Sequence, residues 1–139
     1  MGMANIYRNR SGSAAVEFAI VAPVFILVIL TMIAYGVYLT AAYAVQQVAA
    51  DAARTAIAGM STPERQALAK DFIDKSALNY VFLDKNHLNV SVDSDPFNVT
   101  QFTVTVECDA TELPIWSLYT YALPDKTIRR FSTIRIGGV

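Results

Sequence analysis

The chain has 139 residues, of which 54% are hydrophobic and 17% charged, with a mean hydropathy of +0.36; this excludes a disordered segment and is more apolar than soluble domains of this size usually are. Its 11 basic and 12 acidic residues give a formal net charge of -1, so it lacks the basic excess with which nucleic-acid binders neutralise phosphates. One cysteine, Cys108, and one histidine, His87, exclude an intramolecular disulfide and a zinc site rich in those residues, and leave few pairings for nucleophilic catalysis.

The apolar excess is local. No Asp, Glu, Lys or Arg lies between Glu17 and Asp51, and Phe18 to Val45 is almost entirely Ala, Val, Ile, Leu, Phe, Met and Tyr. About 20 apolar residues in a helix cross a hydrocarbon core of roughly 30 Å, so this stretch spans a bilayer with residues to spare. We expect one nearly continuous helix from about Ser13 to Ala58, its far part a stalk. Arg8 and Arg10 precede the span, whereas Asp51 and Arg54 beyond it cancel. The positive-inside rule then keeps the N-terminus cytoplasmic and turns residues after about 45 outward. Pro23 removes one backbone donor, which bilayer helices tolerate. Alanines at 41, 42, 44, 49, 50, 52, 53, 56 and 58 allow close helix approach and equally favour helix for its own sake. The alternative is a cleaved secretory signal, with Arg8 and Arg10 as its basic region and Ala42-Tyr43-Ala44 as its cleavage site, giving a secreted or anchored binding module. A signal core runs about 7 to 15 residues; the apolar stretch here is nearly twice that and has Glu17 at its entrance.

A carboxylate at the mouth of a membrane helix costs insertion energy if it lies deep, although the helix dipole favours it at the N-terminal end. The string around it is Gly12-Ser13-Ala14-Ala15-Val16-Glu17-Phe18, directly after the basic leader. This resembles the type IV prepilin processing motif, in which a membrane aspartyl peptidase cuts after the glycine. The resemblance implies a scissile bond between Gly12 and Ser13, a leader of residues 1–12, and Glu17 as fifth residue of the mature chain. The new Ser13 amine lies one turn from Glu17, on the same helix face. By resemblance, the glutamate of one subunit meets the amine of its neighbour and sets axial register, with Phe18 beside it at the assembly contact.

Further residues narrow the family. Val16-Glu17-Phe18-Ala19, then Ala22-Pro23, a long aliphatic run, Gly36 near aromatics, and Ala49-Ala50-Asp51-Ala52-Ala53-Arg54 together resemble the TadE-like minor pilins, or pseudopilins, of tight-adherence (Flp) pilus systems, over roughly residues 8 to 58. The chain's length puts it with the small TadE or TadF type. The resemblance implies a structural, non-enzymatic protein without cofactor, metal or small-molecule substrate. It implies a prepilin peptidase, other pilins and pseudopilins, the assembly machinery and inner-membrane lipid as partners, and no nucleic acid. The location implied is the bacterial inner membrane, single-pass, with the C-terminal domain periplasmic.

The outward half, residues 60–139, reads as a small α+β domain on the helical stalk of residues 13–59. Gly59 stops the first helix. Thr62 is a candidate cap, Pro63 suits the first helical position and Glu64 complements the dipole, so a second helix runs from about 63 to 79. Leu68, Ala69, Phe72, Ile73 and Leu78 form its apolar side, and Arg65, Lys70, Asp71, Asp74 and Lys75 its solvated side. After Asp84-Lys85-Asn86 the period changes to two. Leu88, Val90 and Val92 alternate with Asn89, Ser91 and Asp93; after Ser94-Asp95-Pro96, Phe102, Val104, Val106 and Cys108 alternate with Thr103, Thr105 and Glu107. These two runs form a hairpin. A last strand, about Thr127 to Ile136, carries Arg129, Arg130 and Arg135 and is assigned to an edge or a wet face. Leu113 to Tyr119 is a short helix or packed loop.

Remaining signals are weaker. Asn89-Val90-Ser91 and Asn98-Val99-Thr100 match the glycosylation pattern but fall in predicted strands. Cys108 continues an apolar strand face and is expected as a buried thiol, and His87 as a surface histidine. Asp93, Asp95, Glu107, Asp109 and Glu112 lack the calcium-loop pattern and read as solvated turns. Trp116, Tyr119 and Tyr121 suit a core or membrane-interface role better than an adhesive patch.

Overall fold

The computed structural model describes residues 10–76, 80, 82–118 and 123–137. Helix α1 spans Arg10–Ala56 and contains Pro23 without interruption. At about 1.5 Å per residue it is roughly 70 Å long, and no loop or strand interrupts the expected span. Its side chains divide it in two. From Gly12 to Ile33 large apolar groups face outward, among them Phe18, Phe25 and Met32. From Ala34 onward a stripe of Ala41, Val45, Val48, Ala49, Ala52, Ala53 and Ala56 is buried, recurring every three to four residues as one helix face does.

The last turn of α1 tightens, because Ile57, Ala58 and Gly59 donate to carbonyls three residues back, which supplies partners for terminal groups that α-helical bonding leaves over. Helix α2 follows at Thr62–Ser76. Its cap is Ser61 and not Thr62: the Glu64 amide donates to the Ser61 hydroxyl while Glu64 Oε2 accepts from the amides of Met60 and Ser61. That is a reciprocal capping box. It shifts the helix start by one residue and frees the Thr62 hydroxyl to bond Ser94, at 2.6 Å. The expected extension over 77–79, with Leu78, lies outside the described residues.

Arg65 also departs from expectation. It was expected on the solvated side of α2 and is buried instead; its Nε donates to the Gly59 carbonyl at 3.0 Å and its guanidinium lies 4.8 Å from the centre of the Phe102 ring. The ring face and the carbonyl satisfy a cation that helical spacing alone assigns to water. With Ala69 and Ile73 it forms the buried stripe of α2.

Three antiparallel strands complete the domain: β1 Leu88–Ser94, β2 Gln101–Asp109 and β3 Thr127–Arg135, in spatial order β1-β2-β3. Val90 pairs with Val106 and Val106 with Arg130. β3 is therefore an edge strand, as its arginines suggested. The inner face presents Val90, Val92, Phe102, Val104, Val106, Cys108 and Ile128 to α1 and α2. The outer face carries a hydroxyl bond between Thr103 and Thr133 and an ion pair of 3.3 Å between Glu107 and Arg129, with the exposed Phe131 ring between them. Asn98-Val99-Thr100 forms part of the β1–β2 loop, not a strand, and the Asn98 side chain accepts from Thr100.

Gln66 closes the free edge of β1. Its side-chain amide donates to the Val90 carbonyl and accepts from the Val92 amide, each at 2.8 Å, as a neighbouring strand would. Gln66→Ala leaves both half-buried groups unpaired and should lower stability by about 1–3 kcal/mol, read as a lower urea midpoint of the detergent-solubilised chain with unchanged slope. Gly59→Ala should also destabilise, because a Cβ there would lie 2.8 Å from both the backbone nitrogen and Cγ of Arg65.

Candidate functional site

The N-terminal turn of α1 carries the residues singled out by the prepilin-like string. Gly12, Ser13, Glu17 and Phe18 all lie on this helix and all are exposed. The Ser13 hydroxyl and Glu17 Oε1 are 3.5 Å apart, one helical turn on the same face. Among the described residues nothing lies within 4 Å of where a Cβ on Gly12 would sit, so their packing places no demand for glycine there. Gly36 is likewise open on all sides. The residues before Arg10, including Arg8, lie outside the described residues.

Behind this turn, Gly12–Ala56 is long and apolar enough to cross a membrane, and its most apolar stretch is uncovered by the rest of the chain. Thr31 and Thr40 turn their hydroxyls back onto the carbonyls of Leu27 and Gly36, so neither leaves a bare donor toward lipid. The charges past the span do cancel locally: Arg54 and Asp51 form an ion pair of 2.8 Å, and Asp51 also accepts from the Tyr80 hydroxyl. Burial, then the neighbouring carboxylate, pushes the Tyr80 hydroxyl above its usual pKa.

Residues 12–54 match the family model described as TadE-like protein. Over this stretch, under half of its length, the chain is similar to TadE-like, pilin-related proteins. The TadE-like stretch falls inside the expected limits of 8 and 58 and takes in the open glycine, the exposed glutamate, Pro23 and all of the buried stripe except Ala56. It ends before α2 and the sheet. Neither a curated protein nor a solved structure matches the chain significantly. The TadE-like match suggests a Tad pilus-associated protein in general terms, and the one helix among the described residues that is long and apolar enough to cross a membrane fits a membrane-anchored pilin-like protein.

A second cluster lies at the other end of the sheet from Gly59. A cavity of about 250 Å³ is lined by Ala41, Leu83, Cys108, Leu113 and Ile128, with Asp84, His87, Asp109 and Glu112 also on its walls. His87 Nε2 lies 3.5 Å from Glu112 Oε2. The backbone amide of Thr111 bonds Asp109 and, with that residue's side chain, holds the carboxyl below its ordinary range. No group of three or more His, Cys, Asp or Glu among the described residues is placed to hold a metal ion. The other expected turn carboxylates are accounted for by bonds or solvent: Asp95 accepts from the Phe97 amide, Glu107 pairs with Arg129, and Asp93 is exposed. Trp116 is half-buried against the core with its indole N–H on the Ala110 carbonyl; Tyr119 and Tyr121 lie outside the described residues.

Cys108 is buried as expected, and burial with the nearby Asp109 charge pushes its thiol from an ordinary 9.0 to about 11. The group is neutral in the fold at pH values where the unfolded chain ionises it. Its contribution is therefore complete below pH 9 and is lost as pH rises toward 11. In urea titrations across that interval, stability should fall more steeply for the native sequence than for Cys108→Ala; equal slopes would refute the assignment.

Proposed function

We propose that the chain is a minor pilin, or pseudopilin, of a tight-adherence pilus, made as a prepilin and cut between Gly12 and Ser13 by a prepilin peptidase. In this reading residues 1–12 are the leader, 13–59 the transmembrane and stalk helix, and 60–139 a periplasmic domain. The protein is single-pass in the inner membrane with its N-terminus cytoplasmic, acts structurally and not as an enzyme, and joins other pilins and the assembly machinery. The observation that carries the reading is the open glycine. None of the described residues gives Gly12 a packing reason to be glycine, and it sits five residues before an exposed carboxylate at the head of an unburied apolar helix. A peptidase that needs an unobstructed bond supplies the missing reason.

Cleavage would place a positive amine on Ser13 at the positive end of the helix dipole, where a carboxylate offsets it. Glu17 on the same face is available to a neighbouring subunit, with Phe18 exposed beside it. The rival cut near Ala44 is disfavoured by position. Ala42 and Ala44 are buried in the middle of an unbroken helix, where a peptidase would have to open the domain first.

Mass spectrometry of the protein from native membranes should find Ser13 as the first residue, and Gly12→Val should leave the leader attached. A mature chain starting at Tyr43, Ala44 or Val45 would overturn the proposal. Glu17→Ala should be cleaved and inserted as the native protein is, since a neutral side chain enters lipid more easily, yet co-purify less with other pilus subunits. Normal piliation by a fully processed Glu17→Ala protein would remove the register role.

A further inference from the structure

Ala34 is the first residue along α1 that is fully buried. From Glu17 to Ala34 the helix advances about 26 Å at roughly 1.5 Å per residue, less than the roughly 30 Å of a hydrocarbon core. Tilt shortens the vertical distance further. With Glu17 at the cytoplasmic boundary, burial on α1 begins within the far leaflet, and Ala41, which lines the cavity with Phe82 and Pro114, lies about 36 Å along the helix, at the outer interface. No length of bare stalk separates the base of the domain from lipid.

The side chains at that base suit the position. The one-turn helix Pro114–Ser117 packs on α1. The Trp116 indole N–H is already bonded to Ala110, so what the ring still shows is apolar, and Lys126 lies 5.5 Å from its centre. An amphipathic aromatic beside a lysine is what membrane interfaces select. Leu118, next along the chain, is 45% exposed. Phe82 lines the cavity together with Ala41 and Pro114, and is 47% exposed. Its φ of 64° is left-handed, which costs a non-glycine residue on the order of 1–3 kcal/mol, yet the ring gains only partial burial within its own chain. Asp84, Asp109, Glu112 and Asp125 stand near this end against Lys85, Lys126 and His87, so the base offers no net attraction to anionic lipid.

We propose that Phe82, Trp116 and Leu118 form a second membrane contact, seating the base of the domain in the outer interface of the bilayer that α1 crosses, against zwitterionic lipid and through apolar insertion. This rests on the transmembrane reading of α1.

Trp116 is the only tryptophan in the chain, so its emission reports on the base alone. The full-length protein is reconstituted in phosphatidylcholine vesicles carrying bromines near the glycerol or near the bilayer centre, and flotation is scored separately. Shallow bromines should quench Trp116 about twofold and central ones far less, as for an interfacial indole. Aqueous iodide should quench weakly, and salt at about 1 M should leave the pattern unchanged, because screening does not weaken apolar insertion. Leu118→Ser should float like the native chain with Trp116 less quenched by lipid and more by iodide; the native measurement stands alone if that variant misfolds. Floating protein whose Trp116 is quenched by iodide and by neither bromolipid overturns the second contact while leaving the span intact. Protein that does not float overturns the span, and the second contact with it.

Discussion

One unbroken helix has to satisfy two surroundings, and the rest of the domain is arranged around that requirement. Backbone hydrogen bonds inside α1 are closed within the helix, so the chain can pass from an apolar exterior to a packed protein core without changing conformation. Only the side chains change. Large apolar groups point outward up to Ile33, and small ones point inward from Ala34 to Ala56. A loop between the two parts would have exposed polar backbone groups at the level where water is scarce.

Small residues on the helix set what faces them. The largest fully buried side chains are Phe102, Ile115 and Ile128, from the sheet and from the turn that packs on α1, followed by Val104 and Val106 of β2 and Val45 and Val48 of α1 itself. Alanines at 41, 49, 52, 53 and 56 let these groups approach the helix axis closely, so bulk on one side is matched by its absence on the other. Arg65 fills the corner where α1, α2 and β2 meet, between the Gly59 carbonyl and Phe102. The same helix that carries Gly12 and Glu17 is thus the floor of the core, and the N-terminal turn and the domain share one continuous helix.

Much of this was legible in the sequence because it rests on periodicity and on residue types that punctuate. The charge-free run fixed the long helix, alternation located β1 and β2, and the arginines of β3 marked an edge. The string from Gly12 to Phe18 pointed to the candidate site, and the ordered residues up to Arg54 to the family. What escaped depends on contacts distant in sequence. Arg65 reads as solvated because helical spacing cannot reveal a ring from β2 lying over it. Thr62 looks as good a cap as Ser61, and the bonds of Glu64 to Ser61 and of Thr62 to Ser94 decide between them. Gln66 carries no signal at all, since an exposed-looking glutamine on a helix becomes informative only once β1 lies beside it. Phe82 likewise reads as an ordinary loop residue until its backbone angle and exposure are known.

The Gln66 bonds bear on how copies of this chain can meet. A strand edge with free amides and carbonyls invites another chain to extend the sheet; here a side-chain amide already occupies one donor and one acceptor in the middle of β1. At the opposite edge Gln46 of α1 donates to the Phe131 carbonyl, and Arg129 and Arg135 of β3 are exposed along it. A second copy of this chain is thereby discouraged from extending the sheet at either edge into a continuous ribbon.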